Sequence, residues 1–156
     1  AFYDCSSLAE INLVNVKTIG NRAFYNNTSL SSVVFSDTLS SIGEYGFYGC
    51  SSLKSITLPD SLKVVSSHLF NGSGLEHVEL GRVNSIQQYA FNGCSSLKTV
   101  FFRGDYKQAE KIIISGNNER LEEASWSYEY VFYNFYDFGC FFMRFASSRL
   151  PVVLSF

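Results

Sequence analysis

The histidines and the many serines are the side chains of this chain that could support catalysis. Its two histidines are His68, which precedes Leu69, and His77, which falls where a strand is predicted. Serine hydrolysis needs a histidine and an acid that converge with the serine in one pocket. No Asp or Ser stands at a recognisable triad spacing from either histidine, and no glycine-rich loop has a phosphate-binding pattern. We therefore predict a protein that is not an enzyme and holds no cofactor.

The serines recur inside a repeated sequence, which gives them a structural role in turns. Residues 1–8, Ala-Phe-Tyr-Asp-Cys-Ser-Ser-Leu, return four more times, either closely or in degraded form. The phenylalanine of the repeat recurs about every 23 residues, at Phe2, Phe24, Phe47, Phe70 and Phe91. A fixed period of roughly 20–50 residues is typical of stacked-repeat proteins. Their function resides in surface residues that vary between repeats, so the period predicts the fold and not the ligand.

Each copy carries the same apolar skeleton after its phenylalanine. The leucine is followed three residues later by Ile or Val and two further by Leu or Phe, as in Leu53, Ile56 and Leu58. The final alternation predicts a short strand with one buried face, so that Ile56 and Leu58 point inward while Ser55 and Thr57 point outward. Stacking the copies in register would place Phe on Phe and Leu on Leu in one long core.

The fullest copy is residues 46–65, Gly-Phe-Tyr-Gly-Cys-Ser-Ser-Leu-Lys-Ser-Ile-Thr-Leu-Pro-Asp-Ser-Leu-Lys-Val-Val. This pattern resembles the BspA-like leucine-rich repeats, which belong to surface or secreted proteins of bacteria and some protists. The segment from Gly104 to Tyr130 resembles the C-terminal cap of that family, with Ala109 where a tryptophan is usual. The resemblance implies a β-rich solenoid: a right-handed leucine-rich repeat stack of about five units with a C-terminal cap.

We divide the chain into leucine-rich repeats at residues 1–104, a cap at 105–136, and a tail of uncertain structure at 137–156. The aromatic run at residues 126–145 includes Asp137 and Arg144, and a membrane span needs about 20 apolar residues with few charges. We therefore predict no membrane span. Strands covering the open edge of the last repeat are plausible through about Tyr136.

The first copy begins in mid-repeat, which we interpret as an N-terminal truncation of a longer protein. Without preceding repeats, the flank formed by Phe2, Leu8 and Ile11 would be open to solvent. Open strand edges pair with other chains, and solenoids need polar end units. We therefore expect this fragment to self-associate through that end, with the aromatic tail as the competing cause.

Three of the four cysteines occupy one repeat position, at Cys5, Cys50 and Cys94, and the fourth, Cys140, lies in the tail. Stacked strands lie about 4.8 Å apart, so identical positions two repeats apart are separated by roughly 10 Å. A disulfide needs Cα atoms within about 7 Å. We predict reduced, buried thiols. The absence of a Cys-x-x-Cys spacing leaves a zinc site unsupported.

The composition excludes one class of partner. The net charge is -2 and the lysines and arginines are scattered among acids, so no basic stripe for nucleic acid is present. The apolar share of 46% and the aromatic share of 17% supply ample material for a core.

The outward strand positions form the candidate partner-binding surface, which we call the strand face. These outward side chains form two columns across the strands. In the first column Glu10 is followed by the candidate residues Ser32, Ser55, His77 and Thr99. In the second column Asn12 is followed by the candidate residues Val34, Thr57, Glu79 and Phe101. We predict a protein-interaction or adhesion module of a cell-surface or secreted protein, which binds a protein, such as a host extracellular protein, or a cell-surface glycan. The alternatives are a structural spacer and a substrate-binding repeat module attached to a missing catalytic domain.

Overall fold

A computed structural model describes residues 1–129 of the chain, which form a parallel β-solenoid of about five turns. Each coil contributes one longer strand and one two-residue strand, and we number the coils by these pairs. Coil 1 has β1 (Glu10–Leu13) and β2 (Thr18–Ile19), coil 2 has β3 (Ser32–Phe35) and β4 (Ser41–Ile42), coil 3 has β5 (Ser55–Thr57) and β6 (Val64–Val65), coil 4 has β7 (His77–Leu80) and β8 (Ser85–Ile86), and coil 5 has β9 (Thr99–Phe102) and β10 (Ile113–Ile114). The remaining elements are α1 (Tyr106–Ala109), α2 (Glu119–Glu123) and β11 (Ser125–Tyr128).

The strands stack in two parallel ladders, as the repeat predicts. The longer strands pair in the orders β1-β3 and β5-β7-β9-β11, and the short strands pair in the orders β2-β4 and β6-β8-β10. Equivalent residues lie opposite one another, so Ser55 pairs with His77, and His77 with Thr99. The predicted register is confirmed.

The phenylalanine column forms the centre of the core. Phe24, Phe47, Phe70 and Phe91 are at most 3% exposed, and their ring centroids follow one another at 5.0, 5.8 and 5.3 Å. The predicted ladder is therefore confirmed. Phe2 extends it at 5.5 Å from Phe24 but is 42% exposed, because it has a stacked ring on one side only.

The turn that carries each phenylalanine contains two backbone positions in the left-handed region. The first is occupied by bulky residues, namely Arg22, Tyr45, His68 and Tyr89, with φ between 55° and 61°. The second is held by Asp4 and Asn26 and then by Gly49, Gly72 and Gly93. A left-handed residue with a side chain costs roughly 1–2 kcal/mol. The hydrogen bonds between turns, such as Phe47 N–H to Leu69 O at 2.9 Å, compensate for this cost.

The described part of the predicted cap continues both ladders by one strand. β10 pairs with β8, and β11 pairs with β9. Trp126 on β11 is buried, and its Nε1 donates to Leu121 O at 2.9 Å. Asp105 begins α1 with a capping box that includes Gln108. A separate cap at 105–136 stays a prediction, and the tail at 137–156 lies outside the described residues.

The helices that the structure describes have four and five residues, so neither is long enough to cross a membrane. At the first coil, Leu8 and Ile11 are half-buried and Phe2 is exposed. Self-association through the flank that they form stays a prediction.

No disulfide joins the cysteines of residues 1–129. Cys5, Cys50 and Cys94 are free thiols. The Cys50 and Cys94 Sγ atoms are buried and donate to Phe24 O at 3.2 Å and Phe70 O at 3.1 Å. Burial raises the pKa of Cys50 to about 12 and that of Cys94 to about 11. Cys5 differs from the prediction of a buried thiol: it is half-buried, since its coil has a stacked neighbour on one side only.

We expect Cys5 to react with a thiol reagent at pH 8 in the folded protein, whereas Cys50 and Cys94 react only after unfolding. The reacting species is the thiolate, and raised pKa values keep both buried thiols protonated at that pH. Peptide mass mapping of the labelled chain assigns each site. A Cys50–Cys94 crosslinked peptide, or labelling of Cys50 as fast as Cys5, would contradict the stacking geometry.

Candidate functional site

The structure brings the eight predicted residues onto one surface, the strand face. They come in pairs from four successive strands, with Ser32 and Val34 on β3 and their equivalents on β5, β7 and β9. All are exposed except Glu79 and Phe101, which are half-buried. The strand face continues onto Ser125 and Ser127 of β11, which sequence reasoning did not include because the repeat motif is lost there.

Hydrogen bonds between coils fix two side chains of the strand face. His77 Nδ1 lies 2.7 Å from Thr99 Oγ1, and Thr57 Oγ1 donates to Glu79 Oε2 at 3.4 Å. The imidazole therefore has a hydroxyl partner on the next strand and a defined orientation. Among residues 1–129, no group of three or more His, Cys, Asp or Glu side chains could hold a metal ion.

One edge of the strand face carries a row of alternating charges. Glu76 lies between two lysines, with its carboxylate oxygens 3.8 Å from Lys54 Nζ and 2.5 Å from Lys98 Nζ. The hydrogen bond from Lys98 lowers the pKa of Glu76. Exposed pairs of this kind stabilise a protein by only about 0–1 kcal/mol. The sequence signal for this row was the spacing of 22 residues between successive members.

The opposite edge carries a network of charged residues from coils 3 to 5 that also includes Glu129, which follows β11. Arg103 binds Glu79 closely and lies 3.4 Å from Asp60, while Arg82 reaches Asp60 at 3.7 Å and Glu129 at 3.9 Å. The hydrogen bond to Glu79 raises the pKa of Arg103. Arg103 therefore neutralises the Glu79 carboxylate. Sequence reasoning missed the network because its members are far apart along the chain: Arg103 and Asp60 are separated by 43 residues.

The two edges leave a centre of hydroxyls, one imidazole and two apolar groups. Val34 is 48% exposed, and Phe101 is half-buried on the same column. The charges at both edges are paired, so the surface offers hydrogen bonds and apolar contact without a strong field. Such a mixture suits contact with another molecule better than bond-making chemistry.

The second histidine lies on the turn side of the solenoid, away from the strand face. His68 stacks between Tyr45 and Tyr89 at 4.5 and 4.7 Å, and the Arg22 guanidinium lies 5.2 Å from the Tyr45 centroid. A second row, Tyr3, Tyr25 and Tyr48, stacks at 4.9 and 4.7 Å. Burial, followed by the neighbouring Tyr48, raises the pKa of Tyr25. We assign both rows to stabilisation of the turns.

Comparison with known proteins identifies relatives of this chain. Residues 17–126 match the model of the BspA type Leucine rich repeat region in six copies. The matched region extends beyond residue 104, where we predicted that the repeats end. A leucine-rich repeat protein from Bacteroides ovatus superposes with a TM-score of 0.65 at 25% identity over 82% of this chain and 32% of its own. The Treponema pallidum leucine-rich repeat protein gives a TM-score of 0.63 at 31% identity over 75% of this chain and 60% of its own.

A leucine rich cell surface protein from Faecalibacterium prausnitzii gives a TM-score of 0.54 at 26% identity, over 67% of this chain and 35% of its own. This chain thus spans between 32% and 60% of the length of these three structures. Among curated proteins, none matches the chain.

Leucine-rich repeats are typically non-catalytic and typically serve protein–protein interaction. The family model covers well over half of the chain, and the structure has the parallel stack and the repeat spacing of the solved relatives. The chain belongs to the BspA-type leucine-rich repeat family.

Proposed function

We propose that this chain is a protein-binding module of a cell-surface or secreted protein, and that it binds through the strand face. The observation that carries the proposal is the exposure of Val34 and the partial exposure of Phe101 on a surface that is otherwise made of hydroxyls and an imidazole. Aromatic groups are enriched in the buried centres of interfaces, with polar groups around them.

The hydrogen bonds of the strand face support this function because they order its side chains before a partner arrives. His77 is held by Thr99, Thr57 is bonded to Glu79, and Arg103 neutralises Glu79. A surface whose side chains are already fixed loses less conformational entropy on binding. The paired charges also mean that a partner need not supply a compensating charge.

The proposed location rests on the relatives. One of the superposed structures is a leucine rich cell surface protein, which covers 67% of this chain. The proposal of a surface or secreted location fits a module whose task is contact with other molecules.

We expect Val34→Glu to weaken binding at least about tenfold, or about 1.4 kcal/mol, because it places a charge in the apolar part of the strand face. Val64→Glu is the matched control, since Val64 also lies on a strand and is 39% exposed, but on the other ladder. The assay measures binding of the chain and both variants to an array of extracellular proteins and to an array of glycans. Circular dichroism checks that each variant is folded.

The outcome separates the candidate functions. Binding to a protein that Val34→Glu weakens and Val64→Glu leaves unchanged supports the proposal. Binding to glycans alone would favour the substrate-binding module, and equal binding by both variants would place the interaction elsewhere. A chain that binds nothing on either array would favour the structural spacer.

A further inference from the structure

Both strand ladders are interrupted at the same junction, between coil 2 and coil 3. β3 and β5 belong to different sheets, and so do β4 and β6, whereas every other pair of successive coils is joined in both ladders. The interruption therefore affects two sides of the solenoid at one level of the stack.

The backbone hydrogen bonds that flank the longer strands show the same gap. At other junctions the backbone N–H of the residue before the strand donates to a backbone carbonyl of the previous coil. Examples are Ser31 N–H to Ala9 O at 2.8 Å, Glu76 N–H to Lys54 O at 2.8 Å and Lys98 N–H to Glu76 O at 2.9 Å. Among the described residues, Lys54 N–H has no such bond to Ser31. β3 and β5 are neighbours whose backbones are not paired.

The bonds around the short strands are also missing at this junction. Asn84 N–H donates to Lys63 O at 2.8 Å and Gln87 N–H to Val65 O at 2.9 Å, but in the described chain Lys63 and Ser66 make no equivalent backbone bond to coil 2. Instead the Ser66 hydroxyl donates to Ile42 O at 2.5 Å. A side chain has thus replaced a backbone donor.

The third side of the solenoid, the turn side, remains joined. Phe24 N–H donates to Gly46 O at 2.9 Å, and Asn26 N–H donates to Tyr48 O at 2.7 Å. These bonds have the same lengths as their equivalents at other junctions, such as Phe47 N–H to Leu69 O at 2.9 Å. Coils 2 and 3 are therefore attached to each other along the turn side.

We connect the interruption with one bulky residue. Pro59 follows β5 and has no N–H, but this does not explain the interruption, because among the described residues the equivalent N–H groups of Ser36 and Gly81 also make no backbone bond to the previous coil, at junctions where both ladders are continuous. Phe35 occupies a core column that holds Leu in coils 1, 3 and 4, and its ring meets Phe47 edge-on at 5.8 Å. Phe35 therefore places a larger side chain between the two coils.

We propose that the junction between coils 2 and 3 is a hinge whose axis is the turn side. Coils 1 and 2 move as one block and the coils from coil 3 onward as another, so the two sides that lack backbone bonds open and close. Val34 and Thr57 stand on opposite sides of this junction, so the motion changes the width of the strand face between them. The inference concerns motion and does not depend on the proposed partner.

Spin labels test the motion directly in the full chain without any partner. Labels at positions 32 and 77 span two coils across the junction, and labels at 55 and 99 span two coils within the second block. Both pairs lie on exposed positions roughly 10 Å apart, on a background with Cys5→Ser and Cys140→Ser. We expect the distance distribution of the first pair to be about twice as wide as that of the second; equal widths would overturn the hinge.

One substitution links the motion to its cause. Phe35→Leu should narrow the 32–77 distribution and slow hydrogen exchange at Lys54 and Lys63 by about tenfold, since the missing ladder bonds can then form. Phe102→Leu is the control, because it makes the same change in coil 5 where both ladders are continuous. A Phe35→Leu variant that folds but keeps the wide distribution, or a control that narrows it equally, would contradict the proposed cause.

Discussion

Phe47→Ala is expected to lower the free energy of unfolding by about 3–5 kcal/mol, the usual cost of removing a buried aromatic ring. Phe47 is fully buried and stacks on both Phe24 and Phe70, while Phe35 meets it edge-on. Substitution would leave a cavity in the middle of the column, on the turn side, where backbone hydrogen bonds such as Phe24 N–H to Gly46 O and Phe47 N–H to Leu69 O hold the neighbouring turns apart. Urea unfolding followed by circular dichroism measures the loss.

Phe2→Ala provides the matched control for the core prediction. It removes the same side chain at the same repeat position, but Phe2 is 42% exposed and stacks only on Phe24. We expect a loss of about 1 kcal/mol or less. A loss below about 1 kcal/mol for Phe47→Ala, or equal losses for the two variants, would mean that the column does not carry the core.

The stack and its register were predictable because they depend on spacings along the chain. Phe24 and Phe47 stand at the same point of successive copies, and an in-register stack must bring their rings together. The outward direction of Ser55 and Thr57 followed from the two-residue period of a strand, given that Ile56 and Leu58 are apolar. Both results are local or periodic, so a single sequence contained them.

The hinge and the charge network were not predictable in the same way. Phe102 holds the same repeat position as Phe35 where both ladders are continuous, so the residue type alone does not mark the interruption; the effect of Phe35 depends on its edge-on contact with Phe47 in the next coil. Likewise, Asp60 and Arg103 meet across two coils because their side chains are long enough to cross the edge of the strand face. No periodic pattern marks either pairing.

Trp126 shows where the period itself fails. It lies opposite Val100 on β11 and so occupies a core position, although the sequence groups it with the aromatic tail. Val78 and Val100 are 22 residues apart, whereas Val100 and Trp126 are 26 apart, because helices α1 and α2 lengthen this coil. A strand covering the open edge of the last repeat was expected, but the altered spacing hid its register, including the core position of Trp126.

Asn118 joins this lengthened coil to the one before it, and its replacement by Asp should be strongly destabilising at pH 7. The side chain is 1% exposed; its Oδ1 accepts from Phe91 N–H at 2.9 Å, and its Nδ2 donates to Gln87 O at 3.0 Å and Ser115 O at 2.7 Å. In Asn118→Asp the amide that faces the two carbonyls becomes a carboxylate oxygen. We expect a loss of roughly 3 kcal/mol from burial of this charge against two acceptors.

The loss should shrink as the pH falls, which distinguishes this mechanism from a simple packing defect. A protonated carboxyl could still donate to Ser115 O, so the folded state favours the protonated form and raises the pKa of the new Asp above its unfolded value of about 3.9. Between the raised pKa of the folded state and the lower pKa of the unfolded state, the folded variant binds more protons than the unfolded variant. The free energy of unfolding of the variant therefore rises relative to that of the parent as the pH falls through this range. Asn117→Asp, one residue away at a half-buried position, is the control and should show little change at any pH. Urea unfolding of the parent and both variants at pH 7 and at pH 4 measures the difference in free energy of unfolding. If Asn118→Asp lowers this free energy equally at both pH values, the hydrogen bonds of Asn118 are not what holds the coil.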